Sequence, residues 1–462
     1  MMDSLLLINP PKASFTSENI WGTIKESSLP IGLVQLAAFI RASGFSVKII
    51  DLCVEEYSEE AFRKRLRQLN PTHVGFTSTT IQINNGLRLA KLVKEELPRA
   101  TIVFGGVHPT VLPEEVVSHE AVDYVVRGEG EKSTVKILSG EDASRISGLS
   151  YKEGAGILHN GRGQFIQNLD ELPYPAYDLV RLGNYTPTLG NFKQLPSVSM
   201  ITSRGCPGTC TFCYSGTMGA RIRFMSAKRI FGEIRMLHET YGIRDICFYD
   251  DTFTANKKNV VELCDLMIES GLDITWICMS RLDAVSSEVL EKMGRAGCHQ
   301  IGYGIESSSQ KILANIKKRV PLSKAKEIVT TTKKAGIDVR AMFMLGNPGE
   351  TEETMEDTIK FAISLDADLY LFNITTPFPG TEMFSWAQEN GYLATRNWDD
   401  YDLSHQVMRL PTVNNKKIQE YYRRAYRRCY LRPTYILKRL KKINSTSSLK
   451  AHVKMIPYLL RT

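Results

Sequence analysis

Short apolar runs alternate with amphipathic helical patterns along most of this chain, in two blocks joined by a proline-rich stretch, and few folds accommodate that alternation. The first block spans residues 1–140. Apolar runs at 4–9, 47–52, 73–78, 101–104 and 124–127 read as strands buried on both faces. Between them, 30–43, 58–70 and 84–97 carry apolar residues at helical spacing, with Ser58 as an N-cap, and a short helix starts near Pro113. Strands separated by helices pair in parallel, which predicts a doubly wound sheet with ligands beyond the carboxyl ends of its strands. Those ends read Asn9-Pro10-Pro11, Thr77-Ser78-Thr79, Gly105-Gly106-Val107-His108 and Gly128-Glu129-Gly130. Glycine there lets a large ligand approach the backbone. A nucleotide, a flavin or a corrin would each fit, although the dinucleotide fingerprint is absent after the first strand.

The second block begins at residue 196 with longer units. Strands at 197–202, 243–249, 274–278, 299–303, 338–345 and 368–374 interleave with helices at 226–241, 257–270, 286–296, 322–335 and 351–365. Six such units predict a partial (β/α) barrel with its active site at the carboxyl ends. Residues 141–195 read as a connector. They hold a small hairpin about Gly154 and the segment Asp170-Glu171-Leu172-Pro173-Tyr174-Pro175, too rich in proline for helix. The expected division is 1–140, connector 141–195, barrel 196–390, and a helical, basic region 391–462.

Directly after the first strand of the second block comes Thr202-Ser203-Arg204-Gly205-Cys206-Pro207-Gly208-Thr209-Cys210-Thr211-Phe212-Cys213-Tyr214. Spacings of four and three let three thiolates surround one small object. A structural zinc wants four ligands, and an ordinary electron-transfer cluster wants four cysteines. A cubane cluster held by three leaves one iron open; the alternative is a zinc knuckle whose fourth ligand lies elsewhere. Cys247, Cys264, Cys278, Cys298 and Cys429 lie on apolar elements and read as buried small residues.

This loop resembles that of the radical S-adenosylmethionine (SAM) enzymes, and the likeness extends over roughly 196–381. Asp250-Asp251-Thr252-Phe253-Thr254, Gly302-Tyr303-Gly304-Ile305-Glu306-Ser307 and Gly346-Asn347-Pro348-Gly349-Glu350-Thr351 follow in that family's order. The first block is similar to the cobalamin-binding domain of one large subgroup, through Leu29-Pro30-Ile31-Gly32-Leu33, Gly105-Gly106-Val107-His108-Pro109 and Asp123-Tyr124-Val125-Val126-Arg127-Gly128-Glu129-Gly130-Glu131. The cobalt-ligating Asp-x-His-x-x-Gly motif of many corrinoid proteins is absent.

The resemblance implies an α/β chain: a Rossmann-like cobalamin-binding sheet, then a partial (β/α)6 TIM-type barrel and a helical C-terminal region. It implies a [4Fe-4S] cluster on Cys206, Cys210 and Cys213. SAM would face Asp250 or Asp251 and Glu306, with Ser280 and Arg281 nearby and Phe212 against adenine. Arg281 reads equally as half of an ion pair, and Arg340 is an inward-facing alternative. Cobalamin would lie against Asn9, Pro30, Gly32, Thr77, Ser78, Gly105, Gly106, Gly128, Glu129 and Gly130; His108 reads equally as a ligand contact or a loop histidine satisfied by backbone. The implied reaction is methyl transfer to an unactivated carbon, by 5′-deoxyadenosyl radical hydrogen abstraction and methylcobalamin methyl transfer. The alternatives are cyclisation or ring rearrangement without net methylation, and a corrinoid- and cluster-based sensor. The sequence singles out no catalytic acid or base.

Nine cysteines, an odd number, do not read as a secreted disulfide framework. The start of the chain lacks the basic and apolar regions of a signal peptide, so a cytoplasmic enzyme is expected. The net charge of +8 is uneven: residues 416–462 hold 14 Lys/Arg and one acidic residue, Glu420, leaving the rest net acidic. That tail predicts a helical cap near residue 420 and, further on, peripheral contact with the inner face of a membrane. Expected partners are a small-molecule or lipid-like substrate and an electron donor such as flavodoxin or ferredoxin; no nucleic acid is expected.

Overall fold

The computed structural model describes residues 4–13, 28–187, 190–214, 219 and 221–440. Strands β1 (Ser4–Asn9), β2 (Ser46–Asp51), β3 (His73–Thr77), β4 (Thr101–Gly105) and β5 (Tyr124–Val126) form a parallel sheet in the order β2-β1-β3-β4-β5. The helices alternate with them as the apolar spacing predicts: α1 (Ile31–Ala42), α2 (Glu59–Leu69) and α3 (Ile83–Glu96). Ser58 caps α2, its side chain accepting from Ala61 N at 3.2 Å. One helix was not visible in the sequence, and the expected hairpin about Gly154 has a place in the sheet that the sequence did not show. A short helix, α4 (Val107–Val111), follows the glycine pair directly, ahead of α5 (Pro113–Val117) and α6 (Glu131–Leu138). The hairpin β6 (Leu149–Glu153) and β7 (Gly156–His159), read as part of the connector, extends this sheet antiparallel beyond β5.

The second sheet is parallel throughout and ordered as in the chain: β8 (Ser197–Met200), then, past a two-stranded ribbon of β9 (Ser203–Arg204) and β10 (Arg223–Phe224), β11 (Asp245–Phe248), β12 (Thr275–Ser280), β13 (Cys298–Glu306), β14 (Asp338–Leu345) and β15 (Leu369–Ile374). Strands β8 and β15 are its two edges, so the barrel is open. Helices α7 (Ala227–Tyr241), α8 (Lys257–Ser270), α9 (Ser287–Arg295), α10 (Gln310–Asn315), α11 (Leu322–Lys334) and α12 (Glu352–Ser364) make the connections. Trp276 is fully buried, and its indole N–H donates to Ala296 O at 2.8 Å. The five cysteines on apolar elements are buried as expected.

After α13 (Glu382–Glu389) the chain returns to the first sheet, where Trp398, Tyr401 and Val407 join its core. Helix α14 (Asn415–Tyr430), with α15 (Pro433–Leu440) behind it, then covers the β15 edge. An edge strand presents unpaired backbone groups, and tyrosines satisfy them here. Tyr426 Oη accepts from Phe372 N (3.2 Å) and donates to Phe372 O (3.0 Å). Tyr430 does the same for Tyr370, and Tyr435 donates to Asp368 O. The expected helical cap is therefore present, its outer basic residues paired with Glu352, Glu356 and Glu420. Tyr426→Phe keeps the apolar cover but orphans two buried backbone groups, so urea denaturation should register a loss of about 1–3 kcal/mol. An unchanged midpoint would show that the hydroxyl is dispensable. The far basic tail lies outside the described residues.

Candidate active site between two sheets

The cysteine loop leaves the barrel from the β9–β10 ribbon, in which Arg204 pairs with Arg223. Asp250, at the end of β11, fixes the first root of this loop. Its carboxylate accepts from Thr202 N (2.9 Å), Thr202 Oγ1 (3.1 Å) and Ser203 Oγ. Burial pushes the Asp250 carboxyl up to about 6, against the pull of those donors. A carboxyl raised in the folded state favours folding when protonated, so its contribution falls as pH rises from about 4 to 6. Asp250→Asn keeps the acceptor and removes the ionisation. Stability between pH 4 and 7 should lose a pH-dependent component on the order of 3 kcal/mol, and an unchanged pH profile would refute this.

None of the three loop cysteines is in a disulfide; Cys206 and Cys210 are half-buried and Cys213 is exposed. Gly208 sits between two of them, where a Cβ would lie 3.3 Å from Cys206 Sγ and 3.9 Å from Cys210 Sγ. Among the described residues no three His, Cys, Asp or Glu side chains converge as they would on one ion. A cubane takes one thiolate on each of three irons and does not need such convergence. Burial raises the Cys210 thiol, with Lys318 opposing; a bound metal would hold it deprotonated.

A cavity of about 470 Å³ opens beside the loop, lined by Cys206, Cys210, Thr252, Thr254, Arg281 and Lys317 among others. Arg281 reaches it while gripping Asp283 (2.9 and 2.7 Å) and Arg319 O (3.1 Å), so it is in an ion pair as well as at the site. Ser280 is buried behind it, hydrogen-bonded to Thr254, and Asp251 is exposed at the end of β11. Glu306, buried with φ +68°, accepts from Lys318 Nζ at 3.1 Å. That ammonium also stands 5.9 Å from the Phe212 ring centre. Burial disfavours the Lys318 charge, but Glu306 and Cys210 outweigh it and raise its pKa. Lys318 was missed in the sequence because it lies in a loop with neither periodicity nor motif.

At the carboxyl ends of the first sheet, Gly106 (φ +97°) packs so closely on Ser78 that no side chain fits, and Gly128 has φ +83°. Thr110 joins these two turns, accepting from Gly128 N (3.0 Å) and donating to Gly106 O (2.7 Å). Val107 stands 44% exposed beside them, Thr77 is half-buried, and Ser78 Oγ is buried without a hydrogen-bond partner. Pro30 caps α1, and nothing lies within 4 Å of a Cβ built on Gly32. A Cβ on Gly105 or Gly130 would meet its neighbours only at ordinary van der Waals distance, 3.7 Å or more. Exposed backbone, an apolar side chain and an orphaned hydroxyl suit a large, partly apolar ligand.

Five residues expected at a cofactor are engaged elsewhere. Asp250 is turned into the loop root. Arg340 lies low on β14, donating to Gly190 O at 2.9 Å where residues 190–193 plug the amino-terminal mouth of the barrel. Asn9 is held by Asp51 (2.8 Å) and Gln82 (2.9 Å). His108 is fully buried, its ring edge-on to Trp398 and 3.5 Å from Glu115; among the described residues neither ring nitrogen has a hydrogen-bond partner, so backbone does not satisfy it. Glu129 is taken by Arg223 (2.6 Å), Ile166 N (2.8 Å) and Arg204 (3.3 Å).

The two sets of loops approach one another at Gly380. A Cβ on Gly380, just beyond β15, would lie 2.6 Å from Val111 Cγ1 of α4 and 3.5 Å from Tyr214 Cδ2 of the cysteine loop.

A three-cysteine loop on an open parallel barrel, set against the ligand end of a doubly wound sheet, defines an enzyme that joins a radical SAM centre to a second cofactor domain. The family model for the radical SAM superfamily matches residues 200–362, and that for the B12 binding domain matches residues 20–138. An uncharacterized methyltransferase of Pyrococcus horikoshii is 38% identical over 94% of each chain. The anaerobic magnesium-protoporphyrin IX monomethyl ester cyclase of Cereibacter sphaeroides is 26% identical over 87% of this chain and 67% of its own. Among solved structures, the cobalamin-dependent SAM radical enzyme OxsB, with aqua-cobalamin and SAM bound, shares the fold (TM-score 0.77, 16% identity, 99% of this chain and 71% of that one). The chain belongs to the radical SAM superfamily, in the group that carries an N-terminal B12-binding domain, and its cofactors are a [4Fe-4S] cluster, SAM and cobalamin. Among the described residues no helix is long and apolar enough to cross a membrane.

Proposed function

We propose that this enzyme is a cobalamin-dependent radical SAM methyltransferase acting on an unactivated carbon. The observation that carries the reading is the meeting of Val111, Tyr214 and Gly380, which brings the helix after the glycine cradle close to the cysteine loop. Cobalamin is assigned to residues 1–140 and the cluster and SAM to 196–390, with 141–195 as connector and 391–462 as cover. When bound, the cluster and SAM supply a 5′-deoxyadenosyl radical and the corrin supplies a methyl carrier.

This chain's own groups hold and orient. Cys206, Cys210 and Cys213 would hold the cluster. Lys318 and Arg281 present positive charge beside the loop, suited to the SAM carboxylate. Asp251 and Glu306 suit its ammonium and ribose hydroxyls, and Phe212 its adenine. Asp250 and Arg340 act at a remove, as supports for the loop root and the barrel mouth. Backbone at Thr77, Ser78, Gly105, Gly106 and Gly128 receives the corrin. Inside the barrel, Gly302 leaves room for Met279 and Met342, since a Cβ there would meet Met279 Sδ at 2.5 Å and Met342 Cε at 3.4 Å. Methionine adapts to irregular apolar shapes, which suits an apolar, lipid-like substrate. An acidic one-electron donor such as flavodoxin and inner-face membrane contact by the basic tail complete the proposal.

Cyclisation without net methylation is the second reading, favoured by the cyclase relative. SAM with a deuterated methyl group separates them in the reduced, cobalamin-loaded enzyme. Label on the extracted corrin, with S-adenosylhomocysteine, is expected for methyl transfer; an unlabelled corrin alongside 5′-deoxyadenosine would overturn it.

A further inference from the structure

The turn that ends β5 and the ribbon that holds the cysteine loop are joined by four buried charges. Arg204 and Arg223 come from the two strands of the ribbon, one at each root of the loop, and Arg204 lies two residues before Cys206. Glu129 and Glu131 come from the turn after β5 and the start of α6. Glu129 takes Arg223 at 2.6 Å and Arg204 at 3.3 Å; Glu131 takes Arg204 at 2.6 Å. No side chain of the four is more than 12% exposed. Two positive and two negative charges cancel, and at this depth they interact strongly. Ile166 adds its N–H to Glu129 (2.8 Å) and its carbonyl to Arg223 (2.6 Å), so the carboxylate is fixed from three sides.

The same turn is tied to the glycine cradle through Thr110, which bonds both Gly128 N and Gly106 O. A continuous path therefore runs from Gly106 through the hydrogen bonds of Thr110 to Gly128, along the backbone to Glu129, and through its ion pairs to Arg204 and Arg223. The elements it joins are far apart in sequence, and each is a short turn or a two-residue strand with little rigidity of its own.

We infer that Glu129, Glu131, Arg204 and Arg223 are positioning residues that transmit occupancy of the glycine cradle to the roots of the cysteine loop. This rests on the cobalamin reading above. A ligand settling on the Gly106 and Gly128 turns restrains Glu129, and Glu129 restrains both ends of the loop that carries the cluster. Coupling of this kind needs a physical element that both sites bias, and the four-charge cluster is that element.

Removing one charge alone strands its partner in the interior, so the test uses paired, charge-balanced variants. One is Glu129→Gln with Arg223→Met; the other is Glu131→Gln with Arg204→Met. Hydrogen exchange is followed in cluster-loaded protein with and without hydroxocobalamin. In the unaltered enzyme, cobalamin should slow exchange several-fold at 105–111 and 128–131 and also at 203–206 and 223–225. Each paired variant should keep the first effect and lose the second at the root whose arginine it removes, 223–225 in the first variant and 203–206 in the other. Equal slowing at the loop roots in both variants would overturn the inference, assigning the coupling to direct contact through Val111 and Tyr214. Absence of the second effect in the unaltered enzyme would also overturn it. Failure of that enzyme to take up hydroxocobalamin would instead remove the cobalamin reading, and the inference with it.

Discussion

Replacing Cys206, Cys210 and Cys213 with alanine should abolish iron binding and SAM cleavage while leaving a folded protein. The loop is rooted without metal: Asp250 holds Thr202 and Ser203, and Glu129 holds Arg204 and Arg223. The barrel core around Trp276 and Phe248 does not depend on it. Circular dichroism and the urea midpoint should therefore change little. After anaerobic reconstitution with iron and sulfide, the broad cluster absorbance of the parent should be missing, and 5′-deoxyadenosine should fall below detection. With all three proposed ligands removed, no partial activity is expected. A variant that still cleaved SAM would place the cluster elsewhere.

Gly106→Ala should have the next largest effect, confined to the other cofactor. The φ of +97° disfavours any side chain, and the added Cβ would lie 2.9 Å from both Ser78 N and Ser78 O. Strain of this kind costs about 1–3 kcal/mol, and relief requires the end of β3 to move away from β4. That displaces the backbone on which the corrin would rest. Cobalamin affinity should drop roughly tenfold or more, the equivalent of about 1.4 kcal/mol, whereas iron content and cluster absorbance should match the parent. Normal cobalamin uptake by this variant would remove the Gly105-Gly106 turn from the binding site.

Strands and helices were legible in the sequence because burial on both faces writes continuous apolar runs and helical spacing writes itself in threes and fours. The cysteine loop was legible because its chemistry is local. What escaped was either too short or too distant. Strands β9 and β10 contain two residues each, which is no pattern at all. Glu129 reads as a ligand-facing acid because nothing near it in sequence claims its charge; its arginines lie 75 and 94 residues away. Arg340 shows the same limit along a strand. It reads as inward-facing on its strand, but only the register against Gly302 and Leu369 puts it low in the barrel, near the plug. His108 and Asp250 sit at the expected strand ends but turn into the protein, a choice made by Trp398 and Thr202.

The central claim is that one space serves both cofactors. Electron paramagnetic resonance of enzyme carrying cob(II)alamin and the one-electron-reduced cluster tests it directly, because each is paramagnetic and nearby spins broaden and split one another's signals. A spectrum with clear spin–spin coupling, lost in the variant lacking the three loop cysteines, is the predicted result. A spectrum equal to the simple sum of the two separate centres would contradict it.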